Sequence, residues 1–423
     1  MNMATSVESF AINAYRDIYE QYVDNASFLW ILRSIAVNQP HYYPSDIQEL
    51  DQRIEAQLDG LMTAIDAAWP VCLDALELLE PGELFTAANV AFRSHDMSKI
   101  QHVVEIGLSD ENLMKGLISA LGWLPGKIVH SWIKKFLTSK DLNHKYLAIA
   151  ACSVRRDNPE EYLNRILERE DCRQHLPLYA RSLRLIGELR RQDLMPYLDA
   201  ALKAEDESVQ FWAIWSSILL GNHQLVKQME PFVFNSGPYQ ELALNIAFRV
   251  LPVEQARDWI SRLAKSEGQE RNVVKATGIL GDPHAINWLI NKMKDDTLAK
   301  LAGEAFTLIT GIDLEQQELI DESRDTSPDL DEEDIEAESV ELDEDENLPW
   351  PDYEKVQKQW MSLGRNFIAG QRYLLGKTLS ATYLKPLLDQ SNQRQRQAIC
   401  LELSLIDPAT PLLNSKIRGV GRA

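Results

Sequence analysis

The sequence has few cysteines, and they do not follow the spacings that cysteine-based sites require. Its 423 residues contain four cysteines, with no Cys-x-x-Cys pair and no spacing typical of metal ligands. Cys72, Cys152 and Cys400 stand within apolar helical patterns, where a free thiol acts as a small hydrophobic side chain. The cysteine content therefore predicts a reduced, cytoplasmic protein without a disulfide framework or a structural metal.

Long apolar runs and targeting signals are lacking as well. No stretch approaches the roughly 18–20 apolar residues that a membrane span needs. The most apolar candidate, residues 28–37, is short and contains Arg33. The first twenty residues carry three carboxylates rather than the basic region that opens a secretory signal. We expect a cytoplasmic protein with no membrane span.

Catalytic and nucleotide-binding motifs are missing too. The sequence has no His-Glu-x-x-His and no Gly-x-Ser-x-Gly motif, and its eight histidines form no i, i+4 pair. Residues 370–378 approach a phosphate-binding loop, but five residues rather than four separate Gly370 from Gly376 and no clear strand leads in. We interpret Leu375-Gly376 as a turn between helices. The sequence predicts no enzyme, no catalytic residue, no bound metal and no cofactor.

The negative charge is concentrated in one segment. The chain carries 64 acidic and 43 basic side chains, a net charge of −21. Residues 313–346 hold eighteen of the acidic side chains against Arg324 alone, a local charge of −17, so the remainder carries only −4. Such high charge and low hydrophobicity cannot support a packed core. We therefore expect an acidic flexible insertion at residues 313–347.

A repeat of about thirty residues runs through the chain. At Leu280-Gly281-Asp282-Pro283 the pattern predicts that one helix ends, Gly281 turns the chain and Pro283 opens the next helix. Similar junctions recur upstream at intervals of 28 to 34 residues, near Ser94, Gly122, Arg156, Leu189, Leu220 and Leu251. Two helices and two turns fill one such period. The predicted fold is an all-α solenoid of helical hairpins.

The same spacing returns after the acidic segment. Leu375-Gly376 and Tyr383-Leu384 follow the pattern of Leu280-Gly281 and Trp288-Leu289 at an offset of 95 residues, about three periods. The solenoid is therefore expected to resume after an insertion. The predicted division is an N-terminal helical cap at 1–69, a repeat solenoid at 70–312, the acidic insertion at 313–347, and a C-terminal helical repeat and cap at 348–423.

Two sets of residues resemble known families. The Leu280-Gly-Asp-Pro junction with its following Trp-Leu pair resembles short HEAT-like repeats, a kind also found in phycobilin lyases. The C-terminal motifs resemble an uncharacterised HEAT-repeat family encoded in bacterial type VI secretion clusters beside genes for VgrG spike and PAAR-type tip proteins. The motifs that carry this second resemblance are Leu348-Pro-Trp-Pro-Asp352, Gly370-Gln-Arg-Tyr-Leu-Leu-Gly376, Gln393-Arg-Gln-Arg-Gln-Ala398 and Pro411-Leu-Leu. The resemblance implies a cytoplasmic accessory protein of toxin delivery.

A basic region offers candidate partner-binding residues. Between Lys127 and Arg191 the sequence has fourteen Lys and Arg against eight Asp and Glu. The candidates on the basic side and in the acidic insertion are Lys134, Lys135, Arg155, Arg156, Arg190, Arg191, Asp331, Glu332, Glu333 and Asp334. The region can be a solvated edge, hold an acidic partner, or receive the chain's own acidic segment as a displaceable lid. Nucleic acid is not expected, because a tethered segment of charge −17 competes with phosphates.

Three functional hypotheses follow. The first is a non-enzymatic protein-binding scaffold, an adaptor or chaperone for a type VI secretion effector, PAAR-type tip or VgrG spike component, because solenoids offer long binding surfaces. The second is an immunity protein that neutralises a basic toxin with its acidic segment. The third is a lyase-type enzyme built on the repeat scaffold.

Overall fold

The fold was described from a computed structural model, which places residues 15–324, 344–407 and 410–418. Over these ranges the secondary structure is almost entirely helical, and the chain is an all-α solenoid of helical hairpins. The predicted fold class is confirmed. No helix of these ranges is long and apolar enough to cross a membrane.

The α-helices, numbered in chain order, are α1 (Arg16–Ala36), α2 (Pro44–Met62), α3 (Ile65–Leu76), α4 (Pro81–Ser94), α5 (Met97–Gly107), α6 (Glu111–Trp123), α7 (Gly126–Thr138), α8 (Leu142–Arg155), α9 (Glu161–Glu168), α10 (Glu170–Gln174), α11 (Leu176–Leu189), α12 (Met195–Ala201), α13 (Glu207–Leu219), α14 (Glu230–Phe234), α15 (Gln240–Val250), α16 (Val253–Leu263), α17 (Glu270–Leu280), α18 (Ile286–Lys292), α19 (Ala299–Thr310), α20 (Tyr353–Leu363), α21 (Ala381–Leu387) and α22 (Gln393–Ile406). Two short strands, β1 (Tyr373–Leu374) and β2 (Lys377–Thr378), form an antiparallel hairpin.

The chain forms two compact units. The first comprises Met1–Asn38, Tyr42–Ser216 and Pro411–Ala423, and the second comprises Gln39–His41 and Ser217–Thr410. The first unit thus includes the C-terminal residues. This division follows contacts in space, whereas the four-part division at 1–69, 70–312, 313–347 and 348–423 was drawn from sequence pattern and stays a prediction.

Alternate helices of the repeat pack side by side and form what we call the core row. In the first unit the core row consists of α1, α4, α6, α8 and α11, each packed on the next, and in the second unit of α15, α17 and α19. The core-row helices α4, α6, α8, α11, α15 and α17 end at Ser94, Trp123, Arg155, Leu189, Val250 and Leu280, and helix α13 ends at Leu219. Each end lies within one residue of a predicted junction, so the repeat spacing located the core row correctly.

Close approach within the core row depends on small residues. A Cβ atom added at Gly116 of α6 would lie 2.1 Å from the carbonyl oxygen of Pro81 at the start of α4. Backbone cannot yield to such a contact as a flexible side-chain end can, so α4 and α6 must move apart to accept it.

Gly116→Ala is therefore expected to lower the free energy of unfolding by about 1–3 kcal/mol, the usual cost of overpacking a core. Urea unfolding followed by circular dichroism measures this change. The matched control is Gly237→Ala, since a Cβ at Gly237 meets nothing within 4 Å. Equal stability of the two variants would contradict the assigned packing of α4 on α6.

The resumed repeat after residue 348 is partly as predicted. Helix α21 (Ala381–Leu387) repeats α18 (Ile286–Lys292) at the predicted offset of 95 residues, and α22 follows α21 as α19 follows α18. The prediction for Leu375-Gly376 is wrong in one respect. These residues form the turn of the β1–β2 hairpin, with φ of 50° and 90°, rather than a junction between helices.

The ends of the acidic insertion are packed on the second unit. Leu314 and Leu319 are buried, and an antiparallel bridge joins Ile320 to Pro351. Asp345 is also buried, and its carboxylate lies 2.6 Å from the guanidinium of Arg271. Apolar side chains thus anchor the first part of the predicted insertion and an ion pair holds its last part, while the bounds 313–347 of a flexible segment stay a prediction. Residues 325–343 lie outside the described residues.

Candidate functional site

The two lysines of the predicted basic patch are exposed. Lys134 and Lys135 lie in α7, where Lys135 Nζ stands 3.9 Å from the centre of the Trp132 ring. A cation in that position is attracted by the face of the indole ring. Both side chains are accessible to solvent, as a partner-binding role requires.

Arg155 is buried, unlike the two lysines, and its role as a partner-binding side chain stays a prediction. It is only 7% exposed. Its Nη1 donates to the carbonyl oxygens of Leu121, Gly122 and Leu124 at 2.8–3.3 Å, and its Nε lies 2.6 Å from Asp157. These carbonyls lie at the carboxyl end of α6, where the helix leaves them without an internal donor. Arg155 therefore joins the end of α8 to the end of α6.

Arg190 and Arg191 are half-buried at the end of α11. Arg190 terminates the helix with a φ of 55°. The guanidinium of Arg191 donates to Asp193 and to Asn164 at 2.6 and 2.7 Å. The sequence identified both residues as junction residues, and the structure shows that Arg191 is already held by side chains of its own unit.

Arg156 belongs to a buried ionic cluster centred on Glu188. Glu188 is fully buried, and its carboxylate lies 3.0 Å from Arg156 Nη1 and 2.8 Å from Arg184 Nε. The hydroxyl of Ser153 also donates to it. Burial raises the pKa of Glu188, but the charges of Arg184, Arg156 and Arg181 outweigh this effect and hold its pKa below the ordinary value.

A segment near the carboxyl terminus, residues 411–418, lies across the carboxyl ends of three core-row helices. We call it the strap. It has no helix or strand, and Asn414 to Ile417 form a turn. The strap meets α8 through Leu412 and Asn414, the end of α1 through Lys416, and α6 through Arg418. Every second residue from 412 to 418 thus contacts the helical part of the first unit.

The contacts of the strap are mainly polar and involve its backbone. Arg156 Nε donates to the Leu412 carbonyl at 2.7 Å, and Arg33 Nη1 donates to the Lys416 carbonyl at 3.2 Å. In the other direction, Asn414 Nδ2 donates to the Val154 carbonyl at 2.8 Å. The groove formed by α1, α2, α6 and α8 therefore recognises a main chain at two points and an amide side chain at a third.

Arg418 occupies a pocket suited to a guanidinium group. Its Cζ lies 4.7 Å from the centre of the Trp123 ring, and its Nη1 lies 3.1 Å from Glu55 Oε2. The same nitrogen donates to the Trp123 carbonyl at 3.4 Å. An aromatic face beside a carboxylate favours arginine, whose planar group stacks and donates at the same time.

Glu55 remains ionised in this pocket. Burial raises the pKa of Glu55, but the charge and hydrogen bond of Arg93, a hydrogen bond from Trp123 Nε1 and the charge of Arg418 together lower it below the ordinary value. Arg93 lies 3.0 Å from the carboxylate. The carboxylate thus has two partners besides Arg418.

The acidic residues of the prediction, Asp331, Glu332, Glu333 and Asp334, lie outside the described residues. The adjoining Glu344 lies 3.0 Å from Lys275 Nζ, and this contact belongs to the second unit. The proposed docking of the acidic segment on the 127–191 region stays a prediction.

The described ranges contain no candidate metal site. No group of three His, Cys, Asp or Glu side chains there could hold a metal ion. All four cysteines are buried, and burial raises the pKa of both Cys72 and Cys152 to about 12. Thiols of such high pKa are poor nucleophiles at neutral pH.

Comparison with known proteins gave little that bears on function. No family model and no curated protein matches the chain. One solved structure, the crystal structure of an engineered protein, aligns over 70% of this chain and 94% of its own, at 16% sequence identity and a TM-score of 0.31. A likeness at that level supports no conclusion about function.

Sequence reasoning missed the groove and its pocket. Trp123 stands at the predicted junction near Gly122, so its position at a helix end could be found. Nothing in the sequence pairs Glu55 with Arg418, because 363 positions separate them and neither belongs to a motif. The pairing exists only because the carboxyl-terminal residues fold back onto the first unit.

Proposed function

We propose that this protein is a non-enzymatic scaffold that binds other polypeptides, and that it acts as an adaptor or chaperone. The observation that carries the proposal is the strap, a non-helical polypeptide segment that lies across the ends of α1, α6 and α8. A surface that holds one chain segment through main-chain contacts and a side-chain pocket is suited to holding another. Helical repeats commonly provide such surfaces without a deep cavity.

The partner proposed is a secreted effector, a PAAR-type tip protein or a VgrG spike component, with the scaffold acting in the cytoplasm before loading. The resemblance of the C-terminal motifs to a family encoded in type VI secretion clusters supports this choice. Immunity against a basic toxin is the competing proposal, and it depends on the acidic residues 325–343 rather than on the groove.

The two proposals are separated by a charge-neutral replacement. A Gly-Ser linker of equal length replaces residues 325–343, which leaves the docked ends at Arg324 and Glu344 in place. The wild-type chain and the replacement variant are purified from the native host, and co-purifying proteins are identified by mass spectrometry. Each candidate is then tested with purified components by calorimetry.

An adaptor is expected to bind an effector, tip or spike protein with a dissociation constant of about 1 μM or tighter, and the replacement is expected to change it little. Glu55→Gln is expected to weaken binding, while Glu49→Gln, on the exposed side of the same helix α2, serves as its control. Loss of binding in the replacement variant would favour immunity. Failure of every candidate to bind the purified chain would contradict the scaffold proposal.

A further inference from the structure

The groove of the first unit is already complete without the strap. Each charged side chain of the groove that contacts the strap also has a partner elsewhere in the first unit. Arg33 pairs with Asp51, and Arg156 pairs with Glu188. Glu55 keeps Arg93 and the indole N–H of Trp123. Departure of the strap therefore leaves no buried charge unpaired at these three positions, so the empty groove is not destabilised in the way that a broken ion pair would be.

Polar contacts, rather than buried apolar surface, hold most of the strap in place. Leu413 is 41% exposed, and Pro411 is also exposed, so the strap buries little apolar surface at these positions. Its attachment depends on hydrogen bonds that involve arginine side chains, which contribute about 1.5–3 kcal/mol each, and on the ion pair of Arg418 with Glu55. Segments with few buried apolar contacts open locally at lower cost than the packed helices beneath them.

We propose that the strap is an internal competitor for a peptide-binding groove, and that the ligand is a segment of a partner protein that carries an arginine. This proposal rests on the proposed function, because it names the partner's chemistry and the regulation of the same groove. The ligand places its arginine against Trp123 and Glu55, and its main-chain carbonyls accept from Arg156 and Arg33. An amide side chain four residues before the arginine, as Asn414 stands before Arg418, donates to the Val154 carbonyl.

Binding of the partner then requires displacement of the strap. A competing segment of the same chain acts at an effective concentration of about millimolar. The strap therefore weakens a ligand's apparent affinity and restricts binding to partners that present the full set of contacts.

The probe is a fluorescein-labelled synthetic peptide with the sequence of residues 410–418, Thr-Pro-Leu-Leu-Asn-Ser-Lys-Ile-Arg. Its binding is measured by fluorescence anisotropy to three full-length chains. These are the wild type, the strap variant Asn414→Ala/Lys416→Ala/Arg418→Ala, and the strap variant that also carries Glu55→Gln. Circular dichroism and thermal unfolding check that all three chains are folded.

The strap variant is expected to bind the peptide about tenfold more tightly than the wild type, because its own competitor is weakened. Glu55→Gln is expected to reverse that gain, and a peptide with Ala in place of its arginine is expected to bind poorly to every chain. A peptide with Lys at that position should bind less well than the native peptide, since an ammonium group cannot stack and donate as a planar fork does.

Equal affinity of the wild type and the strap variant would overturn the proposal, as would undiminished binding of the Ala peptide. A second measurement does not depend on the strap variant. Leu413→Cys can be labelled selectively because the four native cysteines are buried. Saturating peptide is expected to increase the mobility of a spin label at residue 413, and unchanged mobility with peptide bound would contradict displacement.

These assays need no natural partner, so their outcome is independent of the test of the scaffold function. If the peptide fails to bind while a protein partner binds elsewhere, only the internal-competitor proposal is lost. If the peptide binds but no protein partner is found, the peptide-binding groove is supported and the proposed scaffold function is not.

Discussion

Glu188→Ala is expected to lower the free energy of unfolding by about 3–5 kcal/mol, the usual cost of removing one partner from a buried ion pair. The carboxylate is fully buried and is the shared partner of Arg156 and Arg184. Arg181 adds a third positive charge, and burial lowers its pKa to about 10, with the charge of Arg184 acting in the same direction. Removal of Glu188 thus leaves these like charges close together without the buried carboxylate that they share.

Urea unfolding at pH 7 measures the loss. Glu188→Gln retains the shape and some hydrogen bonding but not the charge, so it should lie between the wild type and Glu188→Ala. The control is Glu161→Ala, which removes the exposed partner of Arg165 and should change stability little. A loss from Glu188→Ala no larger than from Glu161→Ala would show that the cluster does not stabilise the core row.

The same cluster predicts a pH dependence. The folded-state pKa of Glu188 lies below its ordinary value of 4.5, so its stabilising contribution is present above that value. It is lost as the pH falls through the folded-state pKa. The stability difference between the wild type and Glu188→Gln should therefore shrink as the pH is lowered below about 4.5, while remaining constant near neutrality.

Arg372→Ala is the second substitution with a large expected effect, a loss of about 3 kcal/mol. Arg372 lies just before the β1–β2 hairpin and donates to the carbonyls of Leu280 and Arg249, at the ends of α17 and α15. It also pairs with Glu402, which is buried and is shared with Arg249. One side chain thus caps two core-row helices of the second unit and neutralises a buried carboxylate.

Lys377→Ala is the comparison for Arg372→Ala. In a phosphate-binding loop the lysine would matter for nucleotide binding. In the structural role assigned to this segment, Arg372 matters for stability and Lys377 does not. Lys377 is exposed, and its ammonium group lies 5.2 Å from the Tyr383 ring. We expect its loss to change stability by no more than about 0.5 kcal/mol. Arg372→Lys should be intermediate, since lysine cannot donate to two carbonyls and a carboxylate in a fixed fork.

Urea unfolding of the three variants, with ATP binding measured by calorimetry, tests the assignment. Nucleotide binding that depends on Lys377 would contradict the structural role given to the segment 370–378. A larger destabilisation from Lys377→Ala than from Arg372→Ala would do so as well.

The fold could be predicted from sequence because its signals are local. The turn and helix-opening residues at Leu280-Gly281-Asp282-Pro283 recur with a period that two helices fill, and the same spacing located the ends of seven helices. The offset of 95 residues that aligned Tyr383 with Trp288 also placed α21 correctly. Local chemistry of this kind depends on few neighbours, so it is readable without the structure.

The hairpin at Leu375-Gly376 shows where such alignment fails. Leucine followed by glycine suits the end of a helix, but it also suits a tight turn. At Leu375-Gly376, contacts with residues distant in sequence favour the hairpin turn. The N–H groups of Leu375 and Gly376 donate to the carbonyls of Leu308 and Ile309, near the end of α19. Those acceptors lie 67 positions upstream, so the sequence pattern does not contain the information.

The candidate site was only partly predictable for the same reason. The basic region was correctly identified as rich in cations, and Lys134 and Lys135 are exposed. Arg155 and Arg156, however, serve the core row and the strap, because unpaired helix carbonyls and a buried Glu188 attract them. A charge count cannot separate an arginine that caps a helix from one that awaits a partner.

Hydrogen–deuterium exchange of the full-length wild-type chain, with and without its purified protein partner, tests the groove most directly. Partner binding is expected to increase exchange in residues 411–418 and to protect the carboxyl ends of α6 and α8, as the partner's segment replaces the strap. Unchanged exchange in the strap, with protection confined to other helices, would contradict the claim that this groove is the binding site.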